Sequence, residues 1–91
     1  MRNKHILDTI RETYMKKTIY NYTAVFELNE NKGFTVTVPA LPGLVTEGKN
    51  LDDARKMATE AIQCYLEGLR IEKKHLPVEQ EIASLRLSVT V

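Results

Sequence analysis

The chain has 91 residues, with 13 Lys and Arg against 12 Asp and Glu, a net charge of +1, 43% hydrophobic and 27% charged residues. That length holds one domain with one modest core, and the composition excludes disorder, collagen and a coiled-coil rod. The balanced charge excludes a protein whose affinity comes mainly from neutralising phosphates. The single cysteine, Cys64, leaves no internal disulfide framework and no all-cysteine metal site, and no apolar run approaches the ~18–20 residues of a membrane span. The basic start Met1-Arg2-Asn3-Lys4 runs into polar residues and an acid rather than an apolar stretch, so a soluble cytoplasmic protein is expected.

Residues 1–18 read as a helical arm, because Ile6, Ile10 and Tyr14 share one face with Leu7 beside them. Its narrow apolar stripe demands something to pack on, either the rest of the chain or a second subunit. Near Tyr20 the period changes from 3.6 to 2. Tyr20, Tyr22, Ala24, Phe26 and Leu28 take one face of a strand, and Asn21, Thr23, Val25 and Glu27 the other. The run Asn29-Glu30-Asn31-Lys32-Gly33 makes a turn, with Gly33 placed to take a positive φ. A second strand then sets Phe34, Val36 and Val38 against Thr35 and Thr37, so the hairpin buries one face and leaves the other polar.

Pro39-Ala40-Leu41-Pro42-Gly43 stops that strand, since proline lacks the ladder donor and Pro-Gly suits the two middle positions of a turn. A short strand over Leu44-Val45-Thr46-Glu47 follows. A long helix opens at Asn50, with Asp52 and Asp53 at its positive pole, and ends at His75-Leu76-Pro77. Leu51, Ala54, Ala58, Ala61, Ile62, Tyr65, Leu66 and Leu69 form its core-facing side. Met57, Cys64 and Ile71, seven apart, form a separate stripe that needs cover from the arm or from a neighbouring subunit. The alternation Ala83, Leu85, Leu87, Val89, Val91 predicts a final strand with one buried face. The expected fold is therefore α+β: a β-β-β-α-β core over residues 20–91, one long helix across one sheet face, a right-handed crossover, and the helical arm in front.

The run Tyr22-Thr23-Ala24-Val25-Phe26-Glu27, then Gly33-Phe34-Thr35-Val36-Thr37-Val38-Pro39-Ala40-Leu41-Pro42-Gly43-Leu44-Val45-Thr46-Glu47-Gly48, and the helix opening Asn50-Leu51-Asp52-Asp53-Ala54 resemble the HicB-type antitoxins. The resemblance is close over residues 20–70 and holds by pattern over 83–91. It implies a catalytically stripped, partial RNase-H-like domain that neutralises a HicA-type toxin, a small ribonuclease that cleaves mRNA. Many members carry a C-terminal DNA-binding module; with the chain ending at Val91, that module is expected to be absent.

Read for chemistry, the residues point to binding rather than catalysis. Two-metal hydrolysis needs converging carboxylates, and Glu27, Glu30 and Glu47 are dispersed. His5 and His75 stand apart without a ligand spacing, Cys64 has no adjacent base, and Gly43 and Gly48 lack the Lys-Ser/Thr of a phosphate loop. No cofactor, no metal and no catalytic residue is expected, and the short run Lys16 to Tyr22 does not amount to a nucleic-acid surface. The expected partner contacts are Pro39, Leu41, Pro42, Gly43, Leu44 and Glu47 at the sheet end, and Asp52, Asp53, Arg55 and Lys56 on the helix. Met57, Cys64 and Ile71 are expected to meet the arm or another subunit of a homodimer or homotetramer. The other expectation, from a different class, is a stand-alone self-associating protein with no toxin.

Overall fold

The computed structural model describes residues 18–91, and the helical arm expected over 1–18 lies, but for Thr18, outside them. Three strands, β1 (Val25–Leu28), β2 (Phe34–Thr37) and β3 (Val45–Gly48), precede one helix, α1 (Leu51–Ile71). The sheet is antiparallel in the order β1-β2-β3. An α+β layer of three strands and one long helix is thus present.

The register explains how the two faces divide. Phe26 pairs with Val36, which pairs with Thr46; Leu28 pairs with Phe34, which pairs with Gly48. These rows face α1, and Val36 is wholly buried against Ala54 and Ala58, with Ala24, Phe26 and Phe34 around them. Alanine at both helix positions lets the two backbones come close, which a larger side chain would prevent. The second half of α1 packs differently. Ala61, Ile62, Tyr65 and Leu66 close over Val38, Leu41 and Leu44, with Tyr22 at the border. The Pro-Leu-Pro-Gly loop is therefore a core element: Leu41 is as buried as Val36, and the Tyr65 hydroxyl donates to the Pro42 carbonyl at 3.1 Å.

Local chemistry sets the element boundaries. In the hairpin turn the Asn29 side-chain oxygen accepts from the N–H groups of Asn31 (3.0 Å) and Gly33 (3.1 Å), and the Asn29 N–H donates to the Gly33 carbonyl at 2.9 Å. The positive φ falls on Lys32 (65°), not on Gly33 as expected. The glycine is needed for another reason: a Cβ there would stand 2.3 Å from the Gly48 carbonyl oxygen. Gly43 does take a positive φ (85°), as a Pro-Gly turn requires, and Leu44 N–H closes the turn onto the Leu41 carbonyl at 3.1 Å. At the start of α1, Asn50 Oδ1 accepts from Asp53 N–H at 2.7 Å while Asp53 Oδ2 accepts from Lys49 N–H at 2.8 Å, a reciprocal cap.

The helix stops at Ile71, several residues before the His75-Leu76-Pro77 end expected from proline. The stop is a Schellman motif without its usual glycine: Lys73 sits at φ 58°, its N–H bonds the Arg70 carbonyl at 3.0 Å, and Lys74 N–H bonds the Leu69 carbonyl at 2.9 Å.

Three expectations about the sheet need correction. The strand predicted over 83–91 is absent: residues 74–91 form no strand, and Leu85, Leu87, Val89 and Val91 stand exposed. Alternation specifies which face of a strand is apolar, but a strand exists only when a neighbour accepts its ladder, and this sheet ends at β1. Tyr20 and Leu28, expected in the core, are exposed, because α1 does not reach the β1 margin. Leu51 is exposed as well, lying at the first position of α1 ahead of the sheet contact.

Candidate functional site

No described element covers the side of the sheet away from α1, and its composition follows from the odd-numbered positions. One row reads Glu27, Thr35, Glu47 and the next Val25, Thr37, Val45. Val45 is 63% exposed and Val25 40%. Two carboxylates thus bracket a threonine, beside two valines that bracket another. Glu27 and Glu47 are two strand spacings apart, ~10 Å. Such a separation repels weakly and suits two positively charged groups of a partner; it does not hold two cations at the ~4 Å of a hydrolytic metal pair. Among the described residues, no three His, Cys, Asp or Glu side chains converge as metal ligands.

A groove of about 390 Å³ opens where the hairpin turn, the end of β3 and the start of α1 meet. Its lining is Asn29, Asn31, Gly33, Glu47, Gly48, Lys49, Asp53 and Met57. Glycine shapes it. A Cβ on Gly48 would lie 2.2 Å from the Ala54 nitrogen, just as one on Gly33 would strike Gly48, so three chain segments touch here backbone to backbone. Glu47 belongs to both the open sheet face and the groove. The groove gathers Glu47, Asp53 and Met57 from the predicted contacts, though the Asp53 carboxylate is already engaged by the Lys49 N–H.

The other predicted contacts do not assemble. Leu41 and Leu44 are buried and act by packing, whereas Pro39, Pro42 and Gly43 are exposed on the loop around them. That loop lies under Tyr65, while Asp52, Arg55 and Lys56 are exposed near the start of α1, ~14–20 Å away at 1.5 Å per residue. Met57 (38%) and Ile71 (82%) are exposed together with Cys64, so nothing among the described residues covers that stripe.

A contact that the pattern of residues did not reveal ties the chain after α1 to the start of β1. The Tyr22 hydroxyl donates to the Pro77 carbonyl, Thr23 N–H donates to Glu79 Oε1, and Thr23 Oγ1 donates to Glu79 Oε2 at 2.7 Å. Burial, then the nearby Tyr20 and Glu79, push the Tyr22 hydroxyl above its ordinary value of 10.0. Glu79 has no sequence signal of its own; only the docking of the connector gives it a role. No helix among the described residues is long and apolar enough to cross a membrane.

Comparison with known proteins bears on what this surface serves. The family model described as "HicB_like antitoxin of bacterial toxin-antitoxin system" matches residues 22–89. A UPF0150 protein of Synechocystis sp. is 36% identical over 70 residues, covering 77% of this chain and 89% of that protein. A UPF0150 protein of Thermoplasma acidophilum is 38% identical over 56 residues, covering 62% and 81%. An uncharacterized 14.9 kDa protein from the rep-hol intergenic region of Haemophilus phage HP1 is 36% identical over 52 residues, covering 57% of this chain and 39% of its own. No solved structure matches the chain.

Proposed function

We propose, from the premise that this chain belongs to the HicB-like antitoxin family, that it is a non-catalytic antitoxin that neutralises a HicA-type, mRNA-cleaving toxin by covering it. The observation that carries the reading is the uncovered sheet face, where Glu27 and Glu47 flank Thr35 beside Val25 and Val45. A nuclease that grips RNA presents positive charge around its active groove. An acidic row with an apolar margin complements such a surface, steering the encounter by charge and holding it by desolvated contact. The groove extends this face through Glu47, and the hydrogen bonds at Asn50 and Asp53 fix the start of α1 beside it. Pro39, Pro42 and Gly43, and Asp52, Arg55 and Lys56, lie away from this face and have no part in the proposed contact.

The test is co-expression with the product of the adjacent open reading frame, scored by growth, together with a pull-down of the pair. Rescue by the native chain is expected, with loss of rescue and at least tenfold weaker binding for the E27K/E47K variant at unchanged helical circular dichroism. Rescue that is indifferent to both substitutions refutes the assignment of this face. No recovery of any toxin-like partner favours the second reading, a self-associating protein without a toxin, which the exposed Met57, Cys64 and Ile71 stripe supports.

A further inference from the structure

Among the described residues β1 pairs with β2 alone, so its other side is an open sheet edge there. The edge is longer than the four residues of β1: burial alternates residue by residue from Asn21 to Glu27, the mark of an extended chain, although β2 ends at Thr37. The margin of the helix-covered face is also unfinished there, with Leu28 70% exposed.

The same chain carries the missing part. From Ala83 to Val91 small or aliphatic residues alternate with Ser84, Arg86, Ser88 and Thr90, the pattern of a strand with one apolar face. Leu85, Leu87 and Val89 are each about four-fifths exposed (80%, 79% and 84%), and no described residue pairs with them. This segment does not join its own sheet. It is held at its root by the Pro77 and Glu79 contacts to Tyr22 and Thr23, and beyond Glu79 it makes no hydrogen bond within the described chain.

We infer that residues 83–91 add as a strand to the open β1 edge of a second copy of this chain, which returns its own segment to the first. Three observations choose a second copy over another occupant. Each chain carries one such segment and one β1 edge, so the exchange is reciprocal and closes under a two-fold axis, although the outer edge of β3 stays unpaired. The apolar face of the segment matches what the acceptor lacks, a cover for the Leu28 side of the sheet. The nine residues of 83–91 are long enough to span the extended run from Asn21 to Leu28, each ~30 Å or less at 3.3 Å per residue. The inference concerns the chain free of any toxin and stands or falls apart from the antitoxin reading.

The experiment uses the full chain on a Cys64→Ser background, because Cys64 is exposed and would cross-link by itself. One chain carries Leu28→Cys, and a second chain of different mass carries Leu85→Cys, Leu87→Cys or Val89→Cys. A disulfide between the two chains in at least one mixture is expected, with a dimer mass by light scattering for the parent. Leu87→Pro, which removes a ladder donor from an exposed segment, is expected to weaken dimerisation at least tenfold while the helical circular dichroism stays unchanged. A Leu85→Ser/Leu87→Ser variant should behave alike through loss of the apolar face. A monomeric parent overturns the inference. So do cross-links that form only when both cysteines sit on one chain, and so does a dimer that survives both variants.

Discussion

Leu41 offers the sharpest test of how the loop after β2 works. Its side chain is fully buried among Val38, Leu44, Ile62, Tyr65 and Leu66, although it lies between two prolines in a turn. Replacing it with alanine removes three carbons from that cluster, ~2.4 kcal/mol at ~0.8 kcal/mol per buried methylene. The space left behind adds to this, since Gly43 and Pro42 are fixed by their turn and by Tyr65, so about 3 kcal/mol in total is expected. A domain of this size has roughly 5–14 kcal/mol of stability, so the loss is a large fraction of the whole. Urea unfolding followed by circular dichroism should show the midpoint falling by about 2–3 M with an unchanged slope, taking ~1–1.5 kcal/mol per M. The exposed neighbour Pro42, changed to alanine, should move it far less. A Leu41→Ala midpoint within about 0.3 M of the parent, on the same slope scale, would refute the claim that the loop is core.

The remaining predictions test backbone geometry and one titration. Gly48→Ala should leave little folded protein in thermal melts, because the added carbon meets backbone at 2.2 Å; Gly68→Ala, in the last turn of α1 with nothing within 4 Å, should instead raise stability by roughly 0.5–1 kcal/mol. Lys73→Gly removes a side chain from a left-handed residue and should stabilise by about 1 kcal/mol, a rise of ~4–8 °C in Tm; a lower Tm would contradict the Schellman reading. Tyr22 holds its proton more tightly folded than unfolded, so its contribution is complete below 10.0 and is lost as pH rises through the raised value. Ultraviolet titration should show a tyrosine ionising late in the native chain, and Glu79→Gln should reduce that delay without abolishing it, because burial is the larger cause.

Much of this architecture is written in local chemistry. The period change at Tyr20, the Asn29 turn, Pro42-Gly43 and the Asn50 cap each act within a few residues, so reading them along the chain places the hairpin and the start of α1. What escaped depends on distant partners. Leu41 sits in a stretch whose prolines and glycine signal a turn, and nothing nearby tells that α1 will close over it. The helix end escaped because Lys73 performs a task that glycine normally signals, which left Pro77 as the visible stop. The final alternation suggests a strand with a buried face, but it carries no information on who pairs with it, and within the described chain nothing does. Of the predicted contacts, Glu47, Asp53 and Met57 meet at one groove because β3 and α1 are joined by a short turn, whereas loop and helix start are separated by the length of the helix.

The floor of that groove is main chain: Gly33, Gly48 and the Ala54 amide meet with no side chain between them. Its depth is accordingly independent of the residues on the rim. Asn31 in the hairpin turn, Lys49 before α1 and Met57 on α1 stand on the rim, outside that backbone contact. Recognition and folding are thereby separated in one small domain, and a lineage can retarget the rim while the scaffold beneath stays the same.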